Sequence, residues 1–257
     1  MNVIWLGVLG SLIAGALTAI GAVGVFFIRR LSQRLEDGLL SFAAGIMLAA
    51  SFFSLILPGI EYGEKFFDNT YIAVGLVIAG VITGAVGLSL MNEVLPHEHF
   101  RLGTQGPDTE TLSRIWLFII AITIHNFPEG MAVGVGFAGG DIANGTTLAT
   151  GIGIQNIPEG LAVSVSMFAV GYSRVKSFLV GSLTGLAEPI GGLIGSVAVS
   201  FSGPVLPFSL AFAAGAMLYI ISHEIIPETH RSRFANVATF SLLIGFVFMM
   251  FLDATLG

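Results

Sequence analysis

HNFPEG, at residues 125–130, and QNIPEG, at residues 155–160, are near copies of each other, and both lie inside long apolar stretches. Each copy places polar side chains, a proline and a carboxylate among apolar neighbours. Such groups are costly inside a bilayer, so within a membrane-spanning helix they are functional by default. The structural alternative is polar bonding between helices, a role that Asn, Gln and His also serve. Because the motif occurs twice, chance is a poor explanation for it.

The composition indicates a membrane protein with many spans. Of the 257 residues, 54% are hydrophobic and only 10% are charged, whereas soluble domains carry about 25% charged residues. The 34 glycines suit helices that pack closely in lipid. The absence of cysteine excludes disulfides and thiolate metal ligands. A net charge of −6 argues against nucleic acid as a partner and favours cations as cargo.

Eight apolar segments are each long enough, at roughly 20 residues, to span a bilayer. The first lacks the pattern of a cleaved signal peptide, so we expect it to be retained. The predicted fold is therefore all-α and polytopic, with both termini on one side of the membrane. We number the predicted helices 1 to 8, and their ranges are 5–28, 39–60, 71–91, 115–137, 142–170, 178–201, 205–226 and 234–256.

The basic residues predict the orientation. Nine of the ten Lys and Arg residues lie in the loops after helices 1, 3, 5 and 7, and only Lys65 follows helix 2. Cytosolic loops carry the excess of Lys and Arg, so these four loops are predicted to be cytosolic. Both termini are then extracytoplasmic.

Internal repeats divide the chain into three parts. FAAGIML at residues 42–48 and FAAGAML at residues 212–218 start 170 residues apart, and GSL recurs at residues 10–12 and 181–183. Helices 1–3 (residues 1–91) therefore repeat as helices 6–8 (residues 171–257) in the opposite orientation, around helices 4 and 5 (residues 115–170) and a histidine-containing cytosolic loop (residues 92–114). Secondary transporters with such 3+2+3 inverted repeats bind substrate near the midplane.

The repeated motif brings metal-ligand chemistry to that midplane. His125 and Glu129 are four residues apart on one helix face, next to Asn126, and Pro128 frees the carbonyl group of Ile124. Helix 5 repeats the pattern with Gln155, Asn156 and Glu159, and helix 6 adds Glu188.

No Lys or Arg lies within the apolar segments to neutralise the three carboxylates, so a divalent cation or protons must do so. One imidazole with carboxylate and amide oxygens suits zinc, and also iron(II), manganese or cadmium, better than copper(I). Glu129 and Glu159 could bridge two ions.

HNFPEG, QNIPEG and Glu188 resemble the corresponding motifs of the ZIP (Zrt- and Irt-like protein) family of divalent metal transporters, and the bacterial members most of all. The resemblance covers the whole chain. It implies a homodimer in the bacterial inner membrane that takes up chiefly zinc into the cytosol, is not an enzyme and needs no catalytic cofactor. It also implies an elevator-like movement of helices 1, 4, 5 and 6 against a scaffold of helices 2, 3, 7 and 8.

The resemblance also implies the ligands of a binuclear site, with Met47 on helix 2 facing it. Without the resemblance, Met47 is expected to fill the core. One ion would be bound by His125, Glu129, Gln155 and Glu159, and its neighbour by Asn126, Glu129, Asn156, Glu159 and Glu188.

Other polar residues are candidates for the pathway, each with a plainer alternative. Ser54 would line the same face of helix 2 as Met47, or simply allow close packing. His97 and His99 would collect departing metal or be solvated loop residues. At the cytosolic end, an exit relay or an interfacial polar end would contain Asp37, His223 and Glu224. Asp253 would concentrate cations at the outer mouth or lie on a solvated rim.

Two other functions stay open. An intramembrane zinc-dependent hydrolase would use a similar His and Glu pocket, but HEXXH is absent. A proton-coupled exchanger of another substrate would neutralise the carboxylates without metal.

Overall fold

The computed structural model describes residues 2–94, 97–99, 103–105, 114–200 and 205–256. All eight predicted segments are helical, and helix 3 continues to Val94 while helix 4 begins at Arg114. The unbroken helices are Thr70–Val94 (helix 3), Arg114–Ala138 (helix 4), Ile142–Ala169 (helix 5) and Ala235–Leu256 (helix 8). Helix 1, Val3–Ala22, continues as a 3₁₀ turn, Val23–Phe26.

Helices 2 and 7 are each interrupted by a π-helical segment, which has one extra residue per turn. Helix 2 consists of Gln33–Ala49, the π segment Ala50–Ile56 and Leu57–Phe67. Helix 7 consists of Val205–Ile220, the π segment Ile221–Ile225 and Ile226–His230. A proline follows each π segment, at Pro58 and Pro227. Segments of this kind are frequent at functional sites.

Helix 6 differs from the prediction of a continuous segment. It is formed by Arg174–Thr184 and Ala187–Ser200, with a break at residues 185–186. Pro189 lies in the first turn of the second half, where its missing N–H group has no helical acceptor to lose. The break therefore starts a new helix directly before Glu188.

Seven of the helices in the described part of the chain are long and apolar enough to cross a membrane. Helix 5 is the eighth, with 28 residues. Its length is sufficient, but its polar motif lowers its hydropathy. The fold is that of a polytopic helical membrane protein, apart from a short antiparallel hairpin in which His97–His99 pairs with Gly103–Gln105.

The helices pack in two groups. Helices 1, 4, 5 and 6 contact one another, chiefly as the pairs 1–5 and 4–6. Helices 2, 3, 7 and 8 form the second group, chiefly through the pairs 2–8 and 3–7. Helices 4 and 5 lie between the groups, against helices 2, 7 and 8. The motif-bearing helices are thus the most enclosed part of the fold.

Candidate functional site

The HNFPEG motif is buried in the middle of helix 4. His125 is 6% exposed, and Asn126 and Glu129 are fully buried. The helix runs as α-helix through Pro128, so the carbonyl group of Ile124 has no proline N–H to accept from.

The QNIPEG motif takes the same position in helix 5. Gln155 and Asn156 are fully buried, and Glu159 is 4% exposed. Asn156 donates through Nδ2 to the backbone oxygen of Ala14 at 2.9 Å and to Oε1 of Glu188 at 2.6 Å. Asn156 thereby links helices 1, 5 and 6.

The last glycine of each motif allows its helix to touch a neighbour backbone to backbone. A methyl group added at Gly130 would lie 2.5 Å from the carbonyl carbon of Glu188, and one added at Gly160 would lie 2.8 Å from that of Thr18. No side chain other than hydrogen fits at either position. Gly130 therefore holds the start of the second half of helix 6, and with it the Glu188 carboxylate, against helix 4. The amino-terminal end of that half-helix also favours a negative charge at Glu188.

These side chains are near one another but largely without hydrogen-bond partners. Glu129 is close enough to Glu159 and Glu188 for the carboxylates to repel each other. Glu159 is also close enough to His125 for their charges to interact. Gln155 lies beside Glu129, yet neither makes a hydrogen bond of acceptable geometry. The buried atoms without a partner in the described structure are Nδ2 and Oδ1 of Asn126, both carboxylate oxygens of Glu129, Nε2 and Oε1 of Gln155, Oδ1 of Asn156, Oε2 of Glu159 and Oε2 of Glu188.

Leaving a buried polar group unpaired costs about 1–3 kcal/mol, and more when it is charged. Most of these atoms are oxygens that can ligate a cation. Within the described residues, no three His, Asp or Glu side chains meet as metal ligands. The arrangement is thus a collection of neighbouring donors, and they would have to converge to enclose an ion.

Glu224 from helix 7 contacts the same site. Its Oε2 is paired with Nε2 of His125, and its Oε1 accepts from Nδ2 of Asn92 at 2.5 Å. We predicted Glu224 for an exit relay, without this contact to His125. Asn92 was missed, although an amide at the end of an apolar segment was a usable signal.

Two predicted pathway residues on the other side of the site are bonded to each other. Ser54, in the π segment of helix 2, is fully buried and donates to Oδ1 of Asp253 at 2.6 Å. Met47 is fully buried within the main apolar cluster, which also contains Ile124. That environment is the one expected of a core residue.

The remaining pathway candidates are not brought together. Asp37 is buried and accepts from Ser232 at 2.5 Å. His223 is exposed and stacks on the ring of Tyr219, with centroids 4.9 Å apart. The side chains of His97 and His99 lie outside the described structure, although their strand packs near helix 4.

Comparisons with known proteins identify the family. A family model described as ZIP zinc transporter matches residues 96–253. The chain is 45% identical to zinc transporter ZIPB of Bordetella bronchiseptica, over 97% of this chain and 81% of that protein. It is 41% identical to zinc transporter GufA of Myxococcus xanthus, over 98% and 99% of the two chains. It is 33% identical to human zinc transporter ZIP11, over 97% and 96%.

All three relatives are named as zinc transporters and none as an enzyme. The hydrolase hypothesis has no support from them. The predicted resemblance is confirmed, and the chain is a member of the ZIP family of zinc transporters.

Proposed function

We propose that this protein moves Zn²⁺ across the bacterial inner membrane into the cytosol, through a midplane site on helices 4, 5 and 6. The observation that carries the proposal is the group of nine buried, unpartnered polar atoms on six neighbouring side chains, three of which are carboxylates. A divalent cation would satisfy the seven oxygens among them and offset the mutual repulsion of Glu129, Glu159 and Glu188.

The donors are sufficient for two ions. His125 and Gln155 would bind one ion, and Asn126, Asn156 and Glu188 would bind the other. Glu129 and Glu159 would be ligands of both ions. Oxygen and imidazole donors suit zinc, and cadmium, iron(II) and manganese are compatible with the same set. Because the donors are spread out, binding would draw helices 4, 5 and 6 together.

Alternating access about an inverted repeat is the mechanism that we infer. The π segments of helices 2 and 7 begin 171 residues apart, which agrees with the sequence repeat. The helix pairs 2–8 and 3–7 correspond under that repeat, as do 1–5 and 4–6. In this scheme helices 1, 4, 5 and 6 carry the ion past helices 2, 3, 7 and 8, both termini face outward, and the scaffold forms a homodimer.

The test is zinc flux into proteoliposomes containing the purified protein. We expect His125→Ala and Glu129→Ala to abolish uptake, because each removes a ligand. Glu93→Ala is the matched control, since that carboxylate is exposed at the end of helix 3. Unchanged flux in Glu129→Ala would refute the site, and uptake of another solute with protons but without metal would favour the exchanger.

A further inference from the structure

A groove of about 380 Å³ separates helices 2 and 8 at the ends that the basic loops predict to be cytosolic. Gly38 leaves it open, since a methyl group added there would lie 3.4 Å from Oγ of Ser241 and 3.5 Å from Cγ1 of Val237, in ordinary contact. Two turns further along helix 2 the helices touch. A methyl group added at Gly45 would lie 2.9 Å from the carbonyl carbon of Leu242. The groove therefore opens from Gly45 toward the predicted cytosolic surface.

The deep part of the groove is apolar. Leu39 and Phe42 of helix 2 line it, together with Val237 of helix 8, and all three are partly exposed. The apolar segment of helix 2 starts at residue 39, so this part lies at the depth of the lipid hydrocarbon. A hydrocarbon chain fits such a surface, whereas a polar solute would lose its hydration there.

The mouth of the groove is cationic. Arg34 lines it, one helical turn before Gly38 on the same face of helix 2. Arg34 is exposed and makes no hydrogen bond or salt bridge within the described residues. It is five residues before the apolar segment, at the level of the lipid headgroups. A guanidinium group at that level is suited to bind phosphate through two parallel hydrogen bonds.

The chain around the mouth carries a local excess of positive charge. Residues 29–38 and 231–237 flank the groove and contain five arginines but only two carboxylates, Glu36 and Asp37. Asp37 is buried and accepts a hydrogen bond from Ser232. Half of the ten basic residues of a chain with a net charge of −6 are thus gathered here. The groove is complementary to an anion with an apolar tail.

Ser241 offers a donor between the mouth and the apolar part. Thr239 and Thr255 of helix 8 donate to backbone oxygens of their own helix at 3.0 Å and 2.7 Å. The hydroxyl group of Ser241, by contrast, makes no hydrogen bond in the described part of the chain, and it faces Gly38 across the groove. It is therefore free to donate to an ester oxygen one turn deeper than Arg34.

We propose that this groove binds one anionic glycerophospholipid, with its phosphate on Arg34, its ester oxygens at Ser241 and an acyl chain along Leu39 and Phe42. Basic pockets between membrane helices bind anionic headgroups in this way. The lipid braces helices 2 and 8 where their backbones have separated. The proposal does not rest on zinc transport, because none of these residues belongs to the midplane site.

A second copy of the chain fits the groove less well. Homodimers are usually twofold symmetric, so a contact centred on the groove would place the same surface of both copies face to face. The arginines around the two mouths would then repel each other. An anionic lipid neutralises the same charges instead.

The experiment is native mass spectrometry of the full-length protein in detergent with added phosphatidylglycerol. We expect the first phosphatidylglycerol to bind about tenfold more tightly than phosphatidylcholine, which has no net charge. Arg34→Gln should raise its apparent Kd about tenfold, as for the loss of a charge-assisted hydrogen bond. Arg29→Gln is the matched control, because it removes the same charge from an exposed position outside the groove. Its apparent Kd should change by less than about twofold.

Gly38→Leu tests the groove itself, because its side chain would occupy the space of the acyl chain. The apparent Kd should rise about tenfold or more, whereas Gly38→Ala, whose methyl group makes only ordinary contacts, should stay within about twofold of the wild type. Arg34→Gln changes only an exposed side chain, so it keeps the proposal testable if thermal unfolding shows that Gly38→Leu lowers stability.

Three results would overturn the proposal. The first is equal binding of the two lipids, or equal apparent Kd values for Arg34→Gln and Arg29→Gln. The second is displacement of phosphatidylglycerol by inorganic phosphate at the same concentration, which would indicate a site for the free anion. The third is a loss of dimer mass in Gly38→Leu with unchanged lipid binding, which would assign the groove to a second copy of the chain.

Discussion

Gly130→Ala tests whether backbone contact between helices 4 and 6 holds the site together. The added methyl group would lie 2.5 Å from the carbonyl carbon of Glu188, whereas carbon atoms in contact are about 3.5–4.0 Å apart. The helices must therefore separate by about 1 Å, at a cost of about 1–3 kcal/mol. Because Glu188 is on the displaced turn, its carboxylate moves away from Glu129. We expect zinc flux to fall by about tenfold or more, since ligand positions must hold within about 0.5 Å.

The assay combines thermal unfolding in detergent with zinc flux in proteoliposomes. Gly75→Ala is the matched control, because a methyl group at that position of helix 3 has no atom within 4 Å. It should be neutral or stabilise the protein by about 0.5–1 kcal/mol. If Gly130→Ala unfolds and transports as Gly75→Ala does, close packing at Gly130 does not position Glu188.

Further substitutions test one contact within the second helix group and one contact between the two groups. Glu224→Ala removes the acceptor of the buried Asn92 amide and should lower the free energy of unfolding by about 1–3 kcal/mol. Glu224→Gln keeps an oxygen acceptor and should lower it less in thermal unfolding. Equal losses in the two variants would show that the hydrogen bond to Asn92 does not stabilise the protein. Because the chain has no cysteine, Gly151→Cys paired with Met249→Cys should cross-link in the conformation described here, since a methyl group at residue 151 would contact the Met249 sulfur. Unchanged zinc uptake by the cross-linked protein would refute a movement of helix 5 past helix 8.

The positions of the midplane donors could be predicted from the sequence because three independent regularities agree there. Segment length locates the membrane, helical spacing puts His125 and Glu129 on one face, and duplication points to helix 5. The free-energy cost of burying the Glu188 carboxylate without a cation follows from the sequence, because the apolar segments contain no Lys or Arg to neutralise it. None of these steps requires knowledge of which helices touch.

The partners of those donors could not be predicted in the same way. The contact of Glu224 with His125 joins helices 7 and 4 across 99 residues of sequence, and no local pattern encodes it. The π segments have the sequences ASFFSLI and ISHEI, and neither sequence carries a local signal that distinguishes a π-helix from an α-helix. The break before Glu188 was missed because Gly185 in an apolar segment indicates close packing as readily as a turn.

The pairing of His125 with Glu224 has a consequence for affinity. An ion that used Nε2 of His125 as a ligand would first have to displace the Glu224 carboxylate, so Glu224 would compete with the ion for one of the proposed ligands. By thermodynamic linkage, whatever free energy this contact contributes to the present conformation is subtracted from the affinity for zinc in that same conformation. In the proposed mechanism the ion would then be held less tightly here than in an arrangement in which helix 4 has moved away from helix 7. Such an asymmetry favours release without any change in the ligands themselves.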